Sequence, residues 1–198
     1  FIEKQINSIL EDIGVDVIKI GMLFNASVIK TVARCLREIK NCPIVLDPVM
    51  FAKSGDRLLQ EDAIESIKNE LFPLATIITP NIPEAEALLN YSIESLESMQ
   101  QAAIDLNKLV PKAVVVKGGA LSGSTSDDCL VIEGGYPQWL KQERIETKNL
   151  HGAGCTFSSA VAAFLARSYN LENAIKEAKN YLTKALIAGA DKSLGHGS

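Results

Sequence analysis

The chain opens on apolar residues at helical spacing, Phe1, Ile2, Ile6, Ile9, Leu10 and Ile13. This pattern predicts a helix over Phe1 to Asp12, ended by Gly14. Asp16-Val17-Ile18-Lys19-Ile20 then reads as a strand closed by Gly21-Met22-Leu23. Asn25 or Ser27 can cap a second helix running to about Lys40, with Val28, Val32, Leu36 and Ile39 as its apolar stripe. Pro43-Ile44-Val45-Leu46 is a short β-branched run that ends at Asp47-Pro48 and predicts a buried strand. A polar loop, 52–57, leads to a helix over Gln60 to Leu71. Thr76 to Thr79 is a third strand, after which Asn81 caps a helix with Pro83 in its first turn. Ser95 to Leu109 reads as a helix, and Ala113 to Lys117 as a strand stopped by Gly118-Gly119. Cys129 to Ile132 and Trp139 to Ile145 suggest a hairpin around Gly134-Gly135, and a last helix spans about Leu171 to Ala188.

Strands and helices alternate through the first two thirds, which predicts an α/β fold with helices on both faces of a mostly parallel sheet. No repeat, low-complexity tract or linker divides the chain, so residues 1–198 read as a single domain. In such sheets ligands bind beyond the carboxyl ends of the strands. The polar signals stand there: Gly21 and Met22, Asp47, Asn81 and Glu84, and Lys117 with Gly118.

The stretch Thr147 to Thr156 carries the most specific chemistry. Its polar loop ends in Gly152-Ala153-Gly154 and passes directly into the small-residue apolar run Phe157 to Leu165. The first amides of a helix have no intrahelical partner and lie at the positive end of its dipole. The predicted object is an anion cradle with Cys155 at its mouth. There the dipole is expected to lower the thiol pKa, which fits a base or a nucleophile; a small buried core residue fits the same position. Asp47 and Glu84 suit a water-mediated magnesium–nucleotide site, or two helix caps. Lys117 reads as a phosphate contact or as a snorkelling surface lysine. Lys179, near the apolar face of the last helix, needs an anion or a route to water.

Composition narrows the classes. Net charge is −4, and no basic stripe argues for nucleic acid. No apolar run approaches the ~20 residues of a membrane span. The four cysteines form no C-x-x-C pair, and with only two histidines, His151 and His196, a structural zinc site is not expected. A reducing cytosol is the expected setting. No P-loop motif and no G-x-G-x-x-G after a strand are present.

Seven segments occur in order: Lys19 to Leu23, Leu46 to Met50, Lys53 to Leu59, Thr79 to Glu84, Val116 to Gly119, His151 to Thr156, and Ala178 to Tyr181. Together they closely resemble the hydroxymethylpyrimidine/phosphomethylpyrimidine kinases of thiamine biosynthesis, which are ribokinase-like. The resemblance implies a three-layer α/β/α fold. It also implies ATP- and Mg²⁺-dependent phosphorylation of 4-amino-5-hydroxymethyl-2-methylpyrimidine and then of its monophosphate, by a cytoplasmic homodimer. By match, Gly152, Ala153, Gly154 and Cys155 form the anion hole, and Asp47 and Glu84 serve the nucleotide metal. Thr79, Asn81, Lys117 and Lys179 match the ATP side, and Gly21, Met22 and Val49 the pyrimidine pocket wall. Leu150 and Ala153 depart from the pattern, standing where Thr is usual. The resemblance further implies an N-terminal segment that this sequence lacks, with the first strand, a Gly/Ser-rich loop and a polar residue that holds the pyrimidine. Pyridoxal kinase on the same scaffold and a non-catalytic pyrimidine-binding paralogue are the competing expectations.

Overall fold

A computed structural model describes residues 1–52, 55–110 and 112–193. Lys53 and Ser54 of the third matching segment, and His196, lie outside the described residues.

The short apolar runs form the strands: β1 (Ile18–Ile20), β2 (Ile44–Leu46), β3 (Ile77–Ile78), β4 (Ala113–Val116), β5 (Asp128–Ile132) and β6 (Gln138–Leu140). They pair in chain order, β1 to β4 parallel and β4-β5-β6 antiparallel. The amphipathic segments form α1 (Ile2–Asp12), α2 (Ala26–Arg37), α3 (Ala63–Ser66), α4 (Ile82–Leu89), α5 (Leu96–Asn107), α6 (Ala153–Ala166) and α7 (Leu171–Gly189).

Pleating divides the core in two. Ile44, Leu46, Ile78, Val114 and Val116 point to the layer built from α1 to α5. Their neighbours Val45, Ile77, Ala113 and Val115 meet Phe157, Val161, Ile175 and Ala178 of α6 and α7. Side chains alternate across a strand, so one apolar run feeds both cores. The three layers expected from the sequence are present.

Caps set where helices begin. Asn25 accepts from Val28 N at 3.0 Å and starts α2, which turns Ile29, Val32, Ala33 and Leu36 inward. Asn81 and Glu84 form a reciprocal capping box at the start of α4. The helix expected over Gln60 to Leu71 is broken up. Only Ala63–Ser66 is α-helical, followed by a π turn over Ile67–Leu71 and a 3₁₀ turn over Phe72–Leu74. Pro73 has no amide proton to continue the ladder, and the tighter turn buries Phe72 fully. The second hairpin strand is also shorter than expected, Gln138–Leu140. Among the described residues no helix is long and apolar enough to cross a membrane.

Candidate active site

The carboxyl ends of β2, β3 and β4 and the first turn of α6 converge on Asp47. This carboxylate is 1% exposed. Its Oδ1 accepts from Lys117 Nζ at 2.8 Å and from Thr79 Oγ1 at 3.3 Å. On the other side Ser158 Oγ lies 3.1 Å from Oδ2, and the Cys155 thiol is near enough to feel the carboxylate's charge. Burying a carboxylate is costly unless it is paired and hydrogen-bonded, and Asp47 has both kinds of partner.

Lys117 stands just past β4, and its amide donates to Pro80 O at 2.8 Å. The ammonium passes beside Gly154, where a Cβ would come within 2.9 Å of Nζ. Glycine at that position is what lets the ammonium approach the helix start.

Glu84 is 2% exposed. It accepts from Asn81 N at 2.8 Å, and Asn81 Oδ1 accepts from Glu84 N at 2.9 Å. The Asn81 carbonyl oxygen is therefore occupied as a helix cap. Burial pushes the Glu84 carboxyl up to about 7; the Lys117 charge and the Asn81 amide oppose this, and the Asp47 charge adds to it.

The mouth of α6 opens on Gly152, whose φ of 80° is left-handed and suits glycine. Ala153 N donates to Leu150 O at 3.1 Å, so this amide is turned away from the cradle expected over residues 152–155. The amides of Gly154 and Cys155 find no carbonyl partner among the described residues, and they form the cradle. Cys155 itself is exposed. The expected fall in its thiol pKa is corrected: the pKa is raised, by partial burial first and then by the Asp47 charge, while Lys19 opposes them. Partial burial, with the charge of Asp47 behind it, sets the direction here.

Two residues expected on the ATP side have protein partners. Thr79 is 0% exposed, with its hydroxyl on Asp47. Lys179 is 8% exposed and donates to Asp128 Oδ2 at 2.6 Å and to Ser126 O at 2.8 Å. Asp128 also accepts from Gly118 N at 3.0 Å, which ties α7 to the turn that follows Lys117. Of the residues expected at a pyrimidine pocket, Met22 is 48% exposed, while Gly21 and Val49 are half-buried. They lie just beyond β1 and β2, on the flank of Asp47 away from β4. Sequence reasoning missed Ser158, Asp128 and Lys19. Ser158 stands one helical turn after Cys155, and that spacing is the signal that could have found it.

An open groove of about 680 Å³ runs along α6 from Gly152 and Cys155 past Ala160 and Phe164 to Tyr181 of α7. Asp47, Lys117 and Glu84 do not line it.

The phosphomethylpyrimidine kinase family profile matches residues 1–198. The chain belongs to the phosphomethylpyrimidine kinase family. The hydroxymethylpyrimidine/phosphomethylpyrimidine kinase of Haemophilus influenzae is 41% identical over 99% of this chain and 74% of its own length. The thiamine biosynthesis bifunctional protein of Geobacter sulfurreducens is 43% identical over 100% of this chain, which spans only 40% of that protein. Among solved structures, the phosphomethylpyrimidine kinase of Clostridium difficile 630 is 37% identical with a TM-score of 0.81, covering 93% of this chain and 75% of that one. The pyridoxal kinase of Staphylococcus aureus in complex with AMP-PCP and pyridoxal is 32% identical with a TM-score of 0.84, covering 93% and 66%. The chain thus carries the ribokinase-like scaffold shared by both kinds of kinase, and its family is one of phosphotransferases.

Proposed function

We propose that this chain is the core of an ATP-dependent kinase. It phosphorylates 4-amino-5-hydroxymethyl-2-methylpyrimidine and then the resulting monophosphate, yielding the diphosphate used in thiamine biosynthesis. The observation that carries the reading is the cluster at the mouth of α6. One buried carboxylate, Asp47, gathers Lys117, Ser158 and Cys155 beside two amides that are unpartnered among the described residues.

Magnesium fits the donors present. Asp47 and Glu84 supply hard oxygens, and no group of three His, Cys, Asp or Glu side chains converges among the described residues. That suits an ion held by one or two carboxylates, waters and substrate phosphates. When bound, it neutralises charge on the donor phosphates.

In the first step the hydroxymethyl oxygen bonds to the γ-phosphorus, the bond to the ADP oxygen breaks, and ADP leaves with the electron pair. Cys155 enters as a thiol. Its S–H faces Asp47, and its sulfur accepts a hydrogen bond from the acceptor hydroxyl and orients it. As the new bond forms, the hydroxyl proton passes to sulfur and the thiol proton passes to Asp47. The Gly154 and Cys155 amides and Lys117 face the charge that spreads over the transferred oxygens. In the second step a monophosphate oxygen attacks. It is already anionic, so no proton need be removed. Gly21, Met22 and Val49 wall the acceptor on the β1 side. Asn81 holds Glu84, Thr79 positions Asp47, and Lys179 acts through Asp128 on the turn after Lys117. A homodimer in the cytosol completes the reading, and light scattering on the purified protein tests the assembly.

The test assays both steps separately at saturating Mg-ATP. Cys155→Ala should slow the alcohol step by about 10²-fold, the scale of a positioned proton acceptor, and the phosphate step less. Equal small losses on both steps would make Cys155 a packing residue. Turnover of pyridoxal with none of the pyrimidine would move the chain to the pyridoxal kinases, whose scaffold it shares. Tight pyrimidine binding without any ATP turnover would make it a binding paralogue.

A further inference from the structure

The buried carboxylates Asp47 and Asp128 each have a lysine, Lys117 at 2.8 Å and Lys179 at 2.6 Å. Lys19 is the converse case. It is half-buried on β1, opposite Val45, and its ammonium has no carboxylate or hydrogen-bond partner among the described residues. A Cβ on Gly21 would come within 3.1 Å of Lys19 Nζ, as one on Gly154 would crowd Lys117 Nζ. Glycines thus make room for an ammonium on each flank of the α6 mouth. The Lys19 charge also reaches Cys155, where it lowers the thiol pKa against burial and Asp47.

The two cations differ in what they face. Lys117 is occupied by Asp47, on the side of Glu84 and the proposed metal. Lys19 lies on the opposite side of Cys155, beside Gly21 and Met22, where the acceptor sits in the reading above. A half-buried ammonium without a counter-charge is stabilised when an anion arrives. The alcohol acceptor brings no charge to that flank; the monophosphate does.

We propose that Lys19 is a specificity-determining residue that binds the phosphate of the phosphorylated acceptor. This rests on the kinase reading above, which it deepens by assigning recognition of the second substrate's charge to one side chain. Its ammonium donates hydrogen bonds to the non-attacking phosphate oxygens and holds the attacking oxygen in line.

The test compares wild type with Lys19→Met, which keeps the length of the stem, and Lys19→Arg, which keeps the charge. The ratio of kcat/KM for the monophosphate to that for the alcohol should fall about tenfold or more in Lys19→Met, the effect of one lost charge-assisted hydrogen bond. The loss should appear mainly in KM for the monophosphate, and Lys19→Arg should restore most of it. An unchanged ratio, with both steps slowed alike, would assign Lys19 to the transferred group and overturn the proposal. A second arm needs no turnover. Inorganic phosphate should slow alkylation of Cys155 by iodoacetamide in wild type, read by mass spectrometry as the ratio of rates with and without phosphate. Lys19→Met should lose that protection. Retained protection would also overturn the assignment. If neither pyrimidine is turned over but protection is lost in Lys19→Met, the substrate reading fails and Lys19 stands as a phosphate ligand. Lys19→Gln replaces Lys19→Met in both arms if the latter does not fold.

Discussion

Two lysine–aspartate pairs, each with a buried carboxylate, stand near each other in this molecule, and their surroundings give them different work. Asp128 and Lys179 form a closed set. The carboxylate takes Gly118 N and Lys179, and the ammonium also takes Ser126 O. Asp47 and Lys117 are also in direct contact, at 2.8 Å, yet they border an open mouth with two amides unpartnered among the described residues and an exposed thiol. The same pairing chemistry makes a strut where the protein completes it and a site where the protein leaves donors free. The pairs are also coupled, because the strut holds the turn next to Lys117.

The strongest way to break the comparison is to remove the cation of the strut. Lys179→Met leaves Asp128 charged and unpaired, and removing one partner of a buried pair costs about 3–5 kcal/mol. Chemical denaturation should show that loss. Adding Asp128→Asn should recover most of it, since the amide oxygen still accepts from Gly118 N and carries no charge. A Lys179→Met protein as stable as wild type, with a raised KM for ATP, would make Lys179 a nucleotide contact.

Asp47→Asn asks the converse question of the open pair. Asparagine can still accept from Lys117 and Thr79, so the fold should hold. Turnover should fall about 10²–10³-fold, the range seen when one preorganised electrostatic group is lost, and more Mg²⁺ should be needed. Normal turnover at limiting Mg²⁺ would reduce Asp47 to a structural strut of the kind Asp128 is.

Glu84 sharpens the comparison through pH. Its carboxyl is pushed up to about 7 from an ordinary 4.5. In the unfolded chain it ionises near the ordinary value, so from about 4.5 to about 7 the folded state binds the extra proton. Stability therefore falls as pH rises across that window and levels off above it, by an amount on the order of 3 kcal/mol. Glu84→Gln should flatten this slope in metal-free denaturation curves. Mg²⁺ binding should run the other way, weakening about tenfold per pH unit below 7 because the metal needs the ionised form. Parallel stability curves for the two proteins would show that Glu84 is not the group responsible.

Much of this was legible in the sequence because polar residues that end apolar runs declare themselves. Asp47, Lys117 and Glu84 stand where a strand stops or a helix starts, and the parallel layers follow from alternation alone. What stayed hidden depends on residues distant in sequence. Lys179 visibly needed an anion, but its partner Asp128 begins a strand expected to start at Cys129. The thiol direction at Cys155 was misjudged because the helix dipole is local and visible, whereas the partial burial and the Asp47 charge that raise it come from other elements. The helix expected after Gln60 stops at Pro73, which the sequence shows, but the π turn over Ile67–Leu71 ahead of it is not encoded in apolar spacing.

Ser158 gives the smallest effect and the finest test. It is fully buried, and its hydroxyl lies 3.1 Å from Asp47 Oδ2 and 3.1 Å from Cys155 O. Its one proton either goes mainly to one of these acceptors or is shared between them in a weaker bifurcated bond. Donation to the carboxylate ties the first turn of α6 to the end of β2; donation to the carbonyl stays within the helix. If the tie to Asp47 holds, Ser158→Ala loses one hydrogen bond to a charged group, net about 1.5 kcal/mol. Because that bond also places Cys155 and the Gly154 amide against Asp47, turnover of the alcohol should fall by a comparable factor, about tenfold. Cys155 should alkylate at an altered rate, since its distance from the carboxylate changes. If Ser158→Ala loses stability but keeps turnover and thiol reactivity, the hydroxyl serves the helix alone. Asp47 would then be organised by Lys117 and Thr79, and the open pair would need no support from α6 beyond its amides.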